Sequence, residues 1–243
     1  MIKFLIKAKD IILDILFPLT CFNCRQYLQQ SQNTKNNYIC DVCYNSIRLN
    51  TSLFCPVCRL RLAENKKICG HTKYLLGAAG NYDDPVIKNL IHYFKYKSFE
   101  NLTPVLGEIL LNYFKLLNFE TSKLSNFVII PIPLHHSKER QRGFNQSKLL
   151  AKYVAQNFNL GLADILKRTK NTKPQAQCKN EERTKNISGC FQIKNPADAG
   201  KIKNKNILLI DDVFTSGATI NEAVKILKQN GARRIIALVL AKA

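Results

Sequence analysis

The chain has 243 residues, 46% of them hydrophobic, enough to bury one domain of ordinary size and a smaller companion. Lysine and arginine number 37 against 17 acidic residues, a formal charge of +20 that invites a polyanionic partner, although a chain rich in Lys and Asn with no Trp is also what a biased genome produces. No apolar run reaches the length of a membrane span, and the lack of a Gly-x-x-x-x-Gly-Lys loop disfavours a P-loop nucleotidase.

Met1 to Phe17 is apolar but interrupted by Lys3, Lys7, Lys9, Asp10 and Asp14. Its apolar residues recur at helical spacing, which predicts an amphipathic helix that packs on a core, with a basic flank that keeps a membrane-surface role open. It lacks the uninterrupted core and small-residue cleavage site of a signal peptide. The expectation is a cytoplasmic protein, with peripheral attachment at the inner membrane left open.

Seven of the nine cysteines follow between Cys21 and Cys69. The spacing is Cys21-x2-Cys24, Cys40-x2-Cys43, Cys55-x2-Cys58 and Cys69-x-His71. Without a secretory signal, paired spacing argues for zinc rather than disulfides. Two such pairs close a tetrahedral thiolate site with no open position, so the metal is structural. Cys21, Cys24, Cys40 and Cys43 form the clearest set, while Cys55, Cys58, Cys69 and His71 make a second candidate. A cross-braced pairing of the first set with the third is left open by the spacing. The segment is short and polar around Gln29 to Asn37, and needs metal to fold. Cys178 and Cys190 have no neighbouring partner and read as packing residues.

Gly77 to Tyr82 then reads as a strand, and Pro85 opens a helix with Ile87, Leu90, Ile91 and Phe94 on one face, running into Lys95-Tyr96-Lys97. A further helix covers roughly 103 to 118. Phe127 to Ile130 is an apolar strand ended by Pro131-Ile132-Pro133. The stretch from His135 to Gln146 packs charge and Gly143 at that strand's carboxyl end, before a helix from Asn145 to about Asn157. From His135 to Lys185 there are twelve Lys or Arg against four acidic residues, a clustering that suits polyphosphate, a nucleic-acid surface, or both. The polar connection between Leu166 and Ile187 is long enough to be a functional lid or disordered. Ile187 to Ile193 reads as the returning strand.

Ile207 to Ile210 reads as a buried strand, followed by Asp211-Asp212, the loop Thr215-Ser216-Gly217-Ala218-Thr219, a helix from about Ala218 to Gln229 closed by Asn230-Gly231, and a strand over Ile235 to Leu240. This is a βαβ unit, whose parallel strands need a helical crossover and whose ligands sit beyond the strands' carboxyl ends. The loop offers backbone N–H groups, hydroxyls and a helix N-terminus to a phosphate. Two aspartates beside that anion pocket make sense when the ligand also carries hydroxyls or a cation, and a sugar phosphate meets both demands. A doubly wound domain of another kind, such as a receiver-like fold, would account for the acidic strand end but not for the hydroxyl-Gly loop.

This block resembles the ribose-5-phosphate loop of type I phosphoribosyltransferases. The resemblance implies their Rossmann-like parallel sheet flanked by helices, with Asp211 and Asp212 on the ribose hydroxyls and the loop from Val213 and Phe214 through Thr215, Ser216, Gly217, Ala218 and Thr219 around the 5-phosphate of phosphoribosyl pyrophosphate. The Pro-x-Pro strand end and Arg142-Gly143-Phe144-Asn145-Gln146 are similar to the pyrophosphate loop of ComF-type proteins, the competence-associated branch also called ComFC. That implies Arg142 and Gln146, supported by Arg140, at the diphosphate; Lys95 is grouped with them. The Gln175 and Arg183-x-x-Asn186 pattern resembles the family's flexible active-site loop. The likeness covers nearly the whole chain, with a zinc-ribbon domain over 1–75 and a phosphoribosyltransferase-like domain over 76–243. The departures are Ser216 where a second Thr is common, Cys178 where Leu is usual, and His71 where a Cys is frequent.

Two functions compete on these grounds. One is a phosphoribosyltransferase acting on phosphoribosyl pyrophosphate with magnesium, its acceptor unread. The other is a non-catalytic single-stranded-DNA-binding competence factor that uses the sugar diphosphate as ligand or regulator. Family membership implies a part in DNA uptake during natural transformation, with a ComFA-type helicase and a recombination mediator as partners.

Overall fold

The run from Asn206 to Phe214 shows how the sheet is built. Ile207 and Leu209 face one side, Leu208 and Ile210 the other, and all four are fully buried. A strand buried on both faces must be covered on both, the signature of a parallel sheet in an α/β fold. The computed structural model describes residues 19–28, 38–62, 73–117, 126–171 and 187–243. The predicted N-terminal helix over Met1 to Phe17 lies outside them.

In chain order the described elements are α1 (Asp41–Asn45), β1 (Leu53–Phe54), β2 (Arg61–Leu62), β3 (Leu75–Asn81), α2 (Pro85–Tyr96), α3 (Thr103–Leu116), β4 (Phe127–Pro131), α4 (His136–Arg142), α5 (Gln146–Phe158), β5 (Gly161–Leu162), β6 (Leu166–Arg168), β7 (Phe191–Ile193), β8 (Asn206–Phe214), α6 (Ala218–Gln229) and β9 (Ile235–Lys242). Seven strands form one sheet in the order β2-β1-β3-β9-β8-β4-β5. The five from β3 to β5 are mutually parallel, with Ile207 opposite both Ile235 and Val128. The two short strands β1 and β2, from the cysteine-rich region, extend the β3 edge in antiparallel fashion, Phe54 pairing with Leu76.

On one face, α2, α3 and α5 bury their apolar stripes against Leu208, Ile210, Ile236 and Leu238. The stripe of α2 is the predicted Ile87, Leu90, Ile91 and Phe94, each worth about 1.5–3 kcal/mol when buried. Asp84 starts this helix by accepting the Val86 and Ile87 N–H groups at 2.9 and 3.1 Å, with Pro85 in the first turn. On the other face, α6 packs Ile220, Ala223, Val224 and Leu227 beside the separate antiparallel pair β6–β7.

Three sequence expectations change. The strand expected to stop at Ile210 continues to Phe214, because Val213 and Phe214 still pair with Ala241 and Lys242 of β9. The basic stretch read as a loop after β4 contains the seven-residue α4, which His135 caps and Gly143 ends at φ +82°. The returning strand is limited to Phe191–Ile193, and its partner Leu166–Arg168 occupies the start of the expected loop. Among the described residues no helix is long and apolar enough to cross a membrane.

Candidate active site and metal centre

The carboxyl ends of β3, β4, β8 and β9 open into a cleft of about 980 Å³. Asp211 and Asp212 line it, and both sit inside β8 rather than after it. Alternation along the strand sends their side chains to different partners. Asp211 accepts the Ser147 hydroxyl at 2.9 Å and the Asp212 backbone N–H at 3.0 Å. Asp212 pairs with Lys95 at 2.7 Å, and both side chains are mostly buried. Burial, and then the Asp212 charge beside it, push the Asp211 carboxyl up to about 7. Burial alone would lower the Lys95 pKa, but the aspartate pair outweighs it and the ammonium is held charged.

The loop after β8 turns on Gly217 at φ +79°. A Cβ there would lie 2.8 Å from the Phe214 ring, so glycine is required twice over, by conformation and by space. Thr215, Ser216 and Thr219 face the cleft, Phe214 packs beneath the loop, and Ala218 donates its N–H to the Ser216 hydroxyl at 3.4 Å. The α6 N-terminus thus presents N–H groups and hydroxyls beside two carboxylates, an arrangement suited to a polyol phosphate.

Arg142 reaches the cleft from the end of α4, over the Tyr96 ring at 5.8 Å. Gln146, expected at the diphosphate, is instead 1% exposed. Its Oε1 accepts from Arg142 at 3.1 Å and its Nε2 donates to the Phe94 carbonyl at 3.4 Å, so it holds the arginine against α2. Arg140 lies near the His136 ring at 3.3 Å on the exposed side of α4 and does not line the cleft. Gln175, Arg183 and Asn186 lie outside the described residues. The structure adds residues the sequence reading did not single out: Ser147, Lys138, Tyr96, Arg168 over the Phe191 ring at 5.7 Å, and Arg59. Ser147 and Arg168 carried no local motif; only the strand order brings them to Asp211.

The thiols of Cys21, Cys24, Cys40 and Cys43 lie within 4.8 Å of one another. Cys24 and Cys40 are 3.7 Å apart, close to the ~3.8 Å edge of a tetrahedron with metal–sulfur bonds of about 2.3 Å. Asn23 donates to the Cys43 sulfur at 3.3 Å and the Cys43 N–H points at Cys40 at 3.5 Å. Burial raises the Cys21 thiol, but backbone N–H groups of Cys40, Cys24 and Asn23 overrule it and pull its pKa down to about 6. The donor set therefore suits structural zinc. Cys55–Cys58 repeats the same turn: Arg25 and Arg59 donate N–H groups to Cys21 and Cys55 at 2.9 Å, while Cys21 and Cys55 donate to Gln26 and Leu60 at 2.8 and 3.0 Å. Cys69 and His71, the remaining ligands expected for a second ion, lie outside the described residues, as does Cys178. Cys190 is fully buried in the core under α6, as a packing residue would be.

The phosphoribosyl transferase domain family matches residues 145–243, and the double zinc ribbon domain family matches residues 12–73. Competence protein F of Haemophilus influenzae is 27% identical over 239 residues, spanning 93% of this chain and 98% of that protein. DNA utilization protein YhgH of Salmonella typhimurium is 28% identical over 227 residues, 90% of this chain and 94% of its own. Competence protein ComFC of Bacillus subtilis is 29% identical over 235 residues, covering 92% and 86% respectively. Two domain matches in the same order as the two structural parts, and relatives aligned almost end to end, make this chain a homologue of competence protein F and ComFC, with a double zinc ribbon followed by a phosphoribosyltransferase-type domain.

Proposed function

We propose that the cleft binds phosphoribosyl pyrophosphate with magnesium, that the chain is a phosphoribosyltransferase, and that it serves DNA uptake in natural transformation. The observation that carries the reading is the pair Asp211–Asp212 at the end of a central strand, directly before a hydroxyl-rich loop that turns on Gly217 into α6. The carboxylates accept hydrogen bonds from the ribose hydroxyls, and Lys95 fixes the orientation of Asp212. The N–H groups and hydroxyls of Thr215 to Thr219 take the 5-phosphate. Arg142, steadied by Gln146 and Tyr96, takes the diphosphate with its planar donor fork, with Lys138 alongside. Magnesium, when bound with the substrate, neutralises diphosphate charge; the oxygen donors of the two aspartates suit such a hard cation.

In the transfer, an acceptor nucleophile attacks C1 of the ribose. The C1–O bond breaks, and its electron pair leaves with pyrophosphate. Positive charge builds on the sugar, where the aspartates stabilise it. Calorimetric titration with phosphoribosyl pyrophosphate and magnesium tests the reading: the wild type binds, and the folded Asp211→Asn/Asp212→Asn double variant binds at least tenfold more weakly. Equal affinity in the two proteins would refute the ribose assignment.

A second reading, single-stranded DNA in the same cleft, is favoured by Tyr96, which is 60% exposed at the rim among Lys138, Arg142 and Arg168. It predicts weak sequence preference, steep loss of affinity between about 50 and 200 mM salt, and competition by phosphoribosyl pyrophosphate. The relatives' names, competence and DNA utilization proteins, support a role near DNA. A ComFA-type helicase and a recombination mediator remain the partners to try in pull-downs.

A further inference from the structure

Both cysteine knuckles place an arginine immediately after the second cysteine, Arg25 at φ +66° and Arg59 at φ +59°. That backbone region favours glycine, and a long side chain tolerates it only where the surrounding structure over-determines the turn. Both guanidinium groups reach out of the knuckle into the transferase domain. Arg25 donates to the Tyr93 hydroxyl on α2 and lies over that ring at 5.3 Å; α2 is the helix that carries Lys95. Arg59 donates Nη1 to the Ala243 carbonyl at 3.0 Å and Nη2 to the Thr215 carbonyl at 3.1 Å.

The second contact falls on the phosphate loop. The Thr215 carbonyl shares a rigid trans peptide with the Ser216 N–H, so anchoring one fixes the direction of the other. The first contact ties the same guanidinium to the residue after β9, whose own N–H donates to the Phe214 carbonyl at 2.9 Å. One planar fork thus spans the loop and its neighbouring strand, and its base is the turn of Cys55 and Cys58. We infer that Arg59 is a positioning residue for the phosphate loop, coupling the Cys55–Cys58 knuckle that carries it to phosphoribosyl pyrophosphate bound in the cleft.

This rests on the proposed ligand and adds a prediction the ligand alone does not make: coupling is reciprocal, so phosphoribosyl pyrophosphate must stabilise the knuckle. Arg59→Gly is the decisive variant, since glycine keeps the positive φ of the knuckle while removing the fork. Arg59→Lys keeps the charge but cannot bridge two carbonyls in the same way. The full chain would be titrated with phosphoribosyl pyrophosphate and magnesium, and amide hydrogen exchange over residues 53–62 would be followed with and without that ligand.

Expected are about three- to tenfold weaker ligand binding in both variants, and ligand-dependent slowing of exchange over residues 53–62 in the wild type alone. Wild-type affinity in Arg59→Gly, or equal slowing of exchange in it, would overturn the coupling while leaving the transferase reading intact. Full recovery in Arg59→Lys would also overturn it, by reducing the effect to charge. A wild type that fails to bind phosphoribosyl pyrophosphate would overturn the transferase reading itself, and the coupling with it.

Discussion

Asp211→Asn separates what the cleft does for folding from what it does for binding. The native carboxyl titrates near 7 against an ordinary value of 3.8, because it is buried beside Asp212. A raised carboxyl pKa means the native state holds a proton that the unfolded chain has released, so stability is fully present below about pH 4 and is lost as pH rises to about 7. Roughly three units at ~1.4 kcal/mol each set a ceiling of about 4 kcal/mol. Water in the cleft reduces this to about 2 kcal/mol. Asparagine keeps the acceptor that meets Ser147 and the Asp212 N–H, so the variant loses the charge and little else. It should melt with the wild type near pH 4 and about 5 °C above it at pH 8, in parallel scans that cancel any metal loss common to both. It should also lose most of the thermal stabilisation that phosphoribosyl pyrophosphate gives the wild type. A melting difference that stays constant across this pH range, or a variant less stable at pH 8, would refute the buried-charge argument.

Lys95→Met leaves the Asp212 carboxylate, 12% exposed, without its cation, and should cost about 2–3 kcal/mol in chemical denaturation, with Lys95→Met/Asp212→Asn recovering stability but not ligand affinity. Gly217→Ala forces a Cβ to 2.8 Å from the Phe214 ring at φ +79°, so it should destabilise the protein by about 2 kcal/mol and weaken phosphoribosyl pyrophosphate binding about tenfold; wild-type affinity would show that the loop adapts. Replacing Cys21, Cys24, Cys40 and Cys43 by serine should remove one zinc equivalent in elemental analysis and expose residues 19–28 and 38–50 to proteolysis, and retained zinc would contradict the four-thiolate centre.

The sequence by itself determined the features encoded over a few residues. The apolar run ending in Asp211-Asp212, the hydroxyl-Gly loop and the Ala218–Gln229 helix are local patterns of sterics, burial and backbone hydrogen bonding, and the structure places them at those positions. The four thiols of Cys21 to Cys43 were legible for the same reason, since a two-residue spacer fixes how a chain can wrap a tetrahedral ion. The helix over His136–Arg142 was obscured because a run of charge carries no apolar periodicity, although His135 and Gly143 mark its ends. Only tertiary structure decided the partners of the carboxylates. Lys95, Ser147 and Arg59 are far from β8 in sequence, and they meet it because burying two faces of one strand puts β9 and β4 beside it and α2 and α5 above its end. Tertiary structure also turned Gln146 from an expected ligand into a buried brace for Arg142. Electrostatics in the cleft depends on distances through space, and those follow from the order of the strands rather than from the spacing of residues along the chain.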